Sequence, residues 1–276
     1  MFPPPAAGRW ATTSQARADS CATRAWKATR RNSRRYGGMT MLVFAKTHIG
    51  LVRKSNQDSL LIAHGLYGVA DGMGGHKGGE TASRIAVQVL TNALGGKRPL
   101  ENALAVGVEA ANRRIYEMQR HDSSLSGMGT TLTVLWEDEK DMLIAHVGDS
   151  RAYLLRDGEL TQQTQDHSVV AELLRNKVIT PEMAVNHPYK SVITRALGTD
   201  PVVKPDLLRV EKRLGDLWLV CSDGLYNMVP DEHLLEVLTA LPPEKAAEKL
   251  LELAIEHGGQ DNVSFVLGKV TEVSAS

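Results

Sequence analysis

The chain has 276 residues, with 32 basic and 32 acidic side chains and a formal net charge of zero at pH 7, which excludes a wholly basic nucleic-acid binder. Its 42% apolar and 23% charged residues suit a folded domain with a real core, and the length allows one large domain or two small ones. Cys21 and Cys221 make neither a disulfide framework nor a zinc set. No apolar run nears the ~18–20 residues of a membrane-spanning helix, so a reduced, cytoplasmic protein with no membrane partner is expected.

The zero balance hides two opposite parts. Residues 1–38 carry eight basic side chains against one acid, Asp19, which leaves 24 basic and 31 acidic in residues 39–276, a net charge of −7. The tail contains Pro3-Pro4-Pro5, ends in Gly37-Gly38 and shows no sustained periodicity, the composition of a disordered extension. The plainest reading starts the patterned protein at Met39 or Met41. An Arg-rich transit peptide and a basic arm for nucleic acid or anionic lipid are the alternatives. The folded domain is expected over 39–276.

From residue 41 the hydrophobic period alternates between two and 3.6. Strands are expected at 41–47, 59–63 and 66–70, the last running into Asp71. Two amphipathic helices follow, one with Ala82, Ile85, Ala86, Val89 and Leu90 on a face, the next with Leu104, Val108, Ala111, Ile115 and Met118. Strands return at 130–136, 142–147 and 152–155, and Asp157-Gly158 supplies a hairpin turn before Glu159-Leu160-Thr161. Residues 166–198 break this rhythm with short helices at 169–175 and from Pro181. Strands at 207–210 and 217–221, helices at 231–238 and 243–256, and a strand at 263–270 complete the chain. Gly258-Gly259 stops the last helix. Strands in blocks and helices in pairs predict an α+β fold of antiparallel sheets with helix pairs outside.

Four Asp-containing turns border these strands: Asp71-Gly72, Gly148-Asp149-Ser150-Arg151, Ser222-Asp223-Gly224 and Asp261-Asn262. One such Asp is an ordinary turn former. Four at strand ends are different, because packed sheets gather strand ends, and carboxylates sharing a small volume repel unless a cation neutralises them. All-oxygen ligands suit Mg²⁺ or Mn²⁺. Arg53 lies five residues before Asp58 in the turn joining the first two strands. A lone Arg is usually a solvated charge, but beside an acidic metal cluster its fork points to a phosphate ligand. No nucleotide-binding GxxxxGK[ST] loop, kinase HRD or DFG set, HExxH helix or GxSxG elbow is present. Phosphate transfer to water is the simplest fit.

The ordered series Val52-Arg53…Asn56-Gln57-Asp58, Val69-Ala-Asp71-Gly-Met-Gly-Gly-His76, Gly129-Thr-Thr131, Val147-Gly-Asp149-Ser-Arg151, Asp166-His167-Ser168, Thr194-Arg-Ala-Leu-Gly198, Ser222-Asp223-Gly224 and Asp261-Asn262 resembles the metal-dependent protein phosphatases. These are the PPM or type 2C serine/threonine phosphatases, in their short bacterial form, and the likeness covers residues 41–270. It implies a four-layer αββα sandwich with a metal cleft at one end. It further implies that Asp71 bridges two Mn²⁺ or Mg²⁺ ions, that the Gly72 carbonyl binds one, and that Asp223 and Asp261 complete the other's shell. Asp149 and Asp223 then form a weaker third site. Asp58 acts through water, Arg53 holds the substrate phosphate, and residues 166–198 form a flap beside the cleft.

Two departures stand out. Gln57 replaces a Glu found in some relatives, which weakens the pull on one ion. Met73 stands where animal relatives have a His, and His76, three residues on, is the candidate proton donor. The function so implied is hydrolysis of phosphoserine and phosphothreonine proteins by activated water, opposing a serine/threonine kinase in signalling, by a monomer. The alternatives are a catalytically idle phosphoprotein-binding module and a stress-response regulator phosphatase with one dedicated partner.

Overall fold

Where side-chain period and turn chemistry agree along the chain, the observed elements follow them. The computed structural model describes residues 39–75, 77–185 and 187–272; the expectations for residues 1–38 and for His76 lie outside these described residues. In chain order come β1 (Met39–His48), β2 (Asp58–Ala63), β3 (Leu66–Met73), helices α1 (Gly78–Leu94) and α2 (Glu101–His121), then β4 (Gly129–Thr130), β5 (Leu132–Glu137), β6 (Asp141–Val147), β7 (Arg151–Arg156) and β8 (Glu159–Gln162). Short helices α3 (Val169–Arg175) and α4 (Pro181–Val185) precede β9 (Asp206–Glu211) and β10 (Leu217–Cys221). Helices α5 (Asp223–Tyr226), α6 (Asp231–Ala240) and α7 (Pro243–Glu256) and strand β11 (Val263–Glu272) close the chain.

Local chemistry explains the punctuation. Asp157 and Gly158 both take positive φ, the geometry that a tight hairpin between β7 and β8 requires. Ser168 caps α3 by accepting the Ala171 N–H. Pro243 opens α7, whose buried Ala246, Ala247, Leu250, Leu251 and Ala254 recur at helical spacing.

Two sheets result, with strand orders β1-β11-β10-β7-β8 and β2-β3-β5-β6-β9, and β4 adds to β3. Every strand pairing among the described residues is antiparallel. The twofold alternation of β10 shows how the layers form. Leu217, Leu219 and Cys221 join a core with α6 and α7, whereas Trp218 and Val220 point into the space between the sheets with Met41, Val69, Ile144 and Val266. On the other side, Leu61, Leu66 and Ala70 pack under Ala82, Leu90, Leu104 and Ile115 of α1 and α2. The chain is thus a four-layer αββα sandwich.

The registers gather the site. Asp71, at the end of β3, is the cross-strand partner of Asp58, at the start of β2. Cys221, at the end of β10, faces Arg151 of β7 on one side and Phe265 of β11 on the other. The chain segments holding Asp58, Asp71, Asp149, Asp223 and Asp261 therefore lie at one end of the sandwich.

Two expected turns are not turns. Asp71-Gly72 continues β3, because Gly72 pairs with Thr130 of β4. Asp223-Gly224 opens α5, with the Asn227 N–H closing on the Asp223 carbonyl. The strand expected over 130–136 breaks at Thr131 into β4 and β5, where the Thr131 N–H turns to the Asp71 carbonyl.

Candidate metal centre

Asp71 is the hub. Burial is the main force pushing its carboxyl well above the usual range, followed by the charges of Asp58, Asp223, Asp149 and Asp261. Each of the five acids keeps partial exposure, so they line a recess open to water. The strand end carrying Asp71 is clamped: its N–H donates to Thr131 Oγ1 at 2.9 Å, and its carbonyl accepts from Thr130 Oγ1 at 2.9 Å. Asp58 is pushed up to about 7, chiefly by burial. Its Oδ2 accepts from Ser222 Oγ at 2.8 Å, but its buried Oδ1 meets no donor.

Asp223 is raised to about 6 by burial and then by Asp261. Asp149 is raised to about 7 by burial and then by the charge of Asp223, the other acid expected at a third ion. Asp149 is placed by its carbonyl, which accepts from Tyr226 OH at 3.1 Å. Tyr226 in turn lies under the Arg151 guanidinium, 3.7 Å from the ring centroid. Arg151 is held by Asp166, with Nη2 at 2.7 Å from Oδ2. It braces the acids and is not free for a ligand.

Arg53 reaches the cluster from its loop. Its Nη2 lies 2.6 Å from Asp261 Oδ2, with the Arg53 side chain 54% exposed. Its pKa is raised first by the Asp261 hydrogen bond and further by the charges of Asp223 and Asp71. Asn262, beside Asp261, is 4% exposed. Its Oδ1 accepts the Gln57 N–H at 2.8 Å, and its Nδ2 donates to the Ile49 and Ser55 carbonyls.

The expected glycines earn their places by close approach. A Cβ on Gly72 would come within 2.1 Å of the Gly79 carbonyl oxygen, and one on Gly224 within 2.0 Å of the Asn262 carbonyl oxygen. The Gln57 side chain is tied to the backbone, its Nε2 donating to the Gly74 carbonyl at 3.3 Å. Met73 packs its Cε against Gly129.

Residues 166–198 are rooted in the same end of the sandwich. The His167 N–H donates to the Gly148 carbonyl, the Gly148 N–H returns to His167 Nδ1 at 3.0 Å, and Leu197 pairs with Thr130.

The recess fits a hard divalent cation on three grounds. Its donors are all oxygen, one buried carboxylate oxygen lacks any partner, and the acids raise one another's affinity for a positive charge. Among the described residues, no group of three or more His, Cys, Asp or Glu side chains is arranged, as it stands, so that it could hold a metal ion. A separate cavity of about 550 Å³ lies against α6 and α7, with Val237, Leu241 and Leu253 in its walls and one carboxylate, Glu236; it has no convergent acids. Thr131, Ser222 and Tyr226 were not foreseen as supports. Ser222 stood beside Asp223 in a motif and Thr131 in the acid-free Gly129-Thr-Thr131 series, and nothing in the sequence pointed to Tyr226.

Comparison with known proteins gives a consistent likeness. The family model "Protein phosphatase 2C" matches residues 48–253. The serine/threonine protein phosphatase PstP of Mycobacterium tuberculosis is 43% identical over 231 residues, covering 83% of this chain and 45% of its own length. The chain thus spans about half of that relative. The serine/threonine phosphatase stp of Listeria monocytogenes is 40% identical over 206 residues, covering 72% of this chain and 82% of its own. A crystal structure of the catalytic domain of PstP in complex with two manganese ions superposes with a TM-score of 0.78 at 40% identity, covering 85% of this chain and all of that one.

Proposed function

The chain belongs to the protein phosphatase 2C family, and from that premise we propose that it is a metal-dependent phosphatase hydrolysing phosphoserine and phosphothreonine on proteins. The observation that carries this reading is the convergence of four other carboxylates on Asp71, with the Arg53 guanidinium seated on one of them. Asp71, the Gly72 carbonyl, Asp58, Asp223 and Asp261 would hold two Mn²⁺ or Mg²⁺ ions, and Asp149 with Asp223 a third, weaker one. Such ions, when bound, activate water for in-line attack on phosphorus and neutralise charge on the phosphoryl oxygens.

The chain's own residues supply the rest. Asp261 takes up only Nη2 of Arg53 among the described residues, which leaves donors of a half-exposed guanidinium to grip a phosphate dianion and fix its orientation. Ser222 and Thr131 lock the acids from behind, so the ligand oxygens need little reorganisation. His76, the expected donor of a proton to the leaving seryl oxygen, lies outside the described residues. Residues 166–198 form a flap beside the cleft, rooted through His167 and Leu197, and bear on substrate choice. No helix among the described residues is long and apolar enough to cross a membrane, which is compatible with a cytoplasmic monomer opposing a serine/threonine kinase. An idle binding module finds no favouring observation, since all five acids are present and converge.

The direct test assays the full chain on p-nitrophenyl phosphate and a phosphothreonine peptide. Activity is expected to vanish with EDTA and return with Mn²⁺. Hydrolysis that resists the chelator would reject the proposed chemistry.

A further inference from the structure

Arg53 poses a physical problem. Residues 51–54 are exposed, and a cation at the tip of a free loop must be ordered each time it grips a ligand, at an entropic penalty to binding. The structure answers it with one buried side chain. Asn262 Nδ2 donates to the Ile49 carbonyl at 2.9 Å and the Ser55 carbonyl at 3.0 Å, and its Oδ1 accepts the Gln57 N–H at 2.8 Å. These three partners bracket the excursion that carries Arg53. A neutral amide offers two donors and an acceptor, and here all of its groups face the two feet of one loop.

The same residue sets Arg53's counter-charge. Its backbone N–H donates to Asp261 Oδ1 at 2.7 Å, while Asp261 Oδ2 receives Arg53. The loop is pinned further where the Leu51 N–H donates to the Gly259 carbonyl at 2.7 Å and where Gly50, at φ +81°, passes the Asp261 carbonyl too closely for any Cβ.

We propose that the Asn262 side chain is a positioning group for phosphate binding: it closes the Arg53 loop, so that the guanidinium is held in place beside Asp261 before the substrate arrives. The inference rests on the assignment of Arg53 to the substrate phosphate. A merely structural staple would lower stability alone. A positioning role predicts a selective loss of ground-state affinity that runs through Arg53.

The test uses the full chain with saturating Mn²⁺ and p-nitrophenyl phosphate. Asn262→Ala is expected to raise KM about tenfold or more, as loss of two or three hydrogen bonds implies, with kcat changed by no more than about threefold. Arg53→Ala should also raise KM, and the double variant should be no worse than Arg53→Ala alone, because removing the guanidinium removes what Asn262 positions. If Arg53→Ala leaves KM unchanged, the assignment of Arg53 fails and takes this inference with it. If Arg53→Ala raises KM but Asn262→Ala does not, or if the two effects add in full, the inference alone is overturned. Amide exchange on the unaltered chain gives a readout independent of variant folding and of turnover. The Gln57 N–H, whose acceptor is Asn262 Oδ1, is expected to exchange about tenfold or more slower than a free amide, and exchange at the free rate would also overturn the inference.

Discussion

Asp71 shows how one residue serves function against stability. It sits among four other carboxylates, and each ionised neighbour raises the energy of the folded chain when no cation is present. Asp71→Asn keeps the shape and removes one charge, so it is expected to abolish Mn²⁺-dependent turnover, by a factor on the order of 10³ or more, while raising the melting temperature in EDTA. Activity assays paired with thermal melts check both signs, and a lower melting temperature would contradict the crowded-carboxylate picture. Gly224 behaves oppositely. A Cβ there would lie 2.0 Å from a backbone oxygen that cannot move aside alone. Gly224→Ala is therefore expected to destabilise by about 1–3 kcal/mol or more and to displace Asp223, read as a lower denaturation midpoint together with weaker Mn²⁺ binding. The acids and Arg53 were legible in the sequence because the residue types and their order carried the signal. Tyr226 and Thr131 were not, since a Tyr OH on a carbonyl 77 residues away leaves no trace in local pattern.

At the scale of elements, most of the periodic segments were legible, and the misses have physical causes. Asp71-Gly72 resembles a turn by composition, yet partnering by β4 draws it into a strand; tertiary pairing overrides local propensity. The α5 helix is a single turn too short to show a period. Neighbouring elements also share buried polar groups. Asn112 of α2 accepts the Gly198 N–H at 2.7 Å and donates to the Asp200 carbonyl at 3.0 Å, fixing the end of the 166–198 segment. Asn112→Ala should lower unfolding free energy by about 1–3 kcal/mol, measured by urea titration, and loosen that segment to limited proteolysis.

Strand β6 buries His146 completely. Its pKa is lowered to about 4, first by burial and then by the neighbouring His167, whose ring centroid is 4.7 Å away. It is therefore neutral, with Nε2 donating to the Gln165 carbonyl and Nδ1 facing the Thr133 hydroxyl. Below about pH 6.5 the unfolded imidazole takes up a proton that the folded one refuses until about pH 4. Stability must then fall across that window, by up to about 3 kcal/mol at its acid end. The readout is the difference in unfolding free energy between the unaltered chain and His146→Asn, in which titration of the carboxylates cancels. A difference that stays flat between pH 7 and pH 4 would refute the buried neutral imidazole.

At the scale of the whole molecule, the sandwich concentrates negative charge at one end while its three apolar cores hold the layers together. Cation binding and folding are then linked, since a ligand that binds only the folded form stabilises it by about 2.7 kcal/mol at a hundred times its dissociation constant. Saturating Mn²⁺ should raise the melting temperature by several degrees, EDTA should reverse the gain, and an equal charge concentration of Na⁺ should not reproduce it. A melting temperature indifferent to Mn²⁺ would argue against the acids acting as a shared site.

The sequence by itself determined the antiparallel sheets with helix pairs outside, the position of most strands and helices, the Asp-bearing strand ends and the ordered motifs of the family likeness, which in turn implied the four layers and the set of five acids. Those properties rest on residue type, period and order, all of which are local or linear. The tertiary structure alone decided that Arg53 rests on Asp261, that the Gln57 amide donates to the backbone, and that Asn262 closes the Arg53 loop. Each of these depends on which strand ends the antiparallel registers bring together, and burial and Coulomb interaction act through that space rather than along the chain.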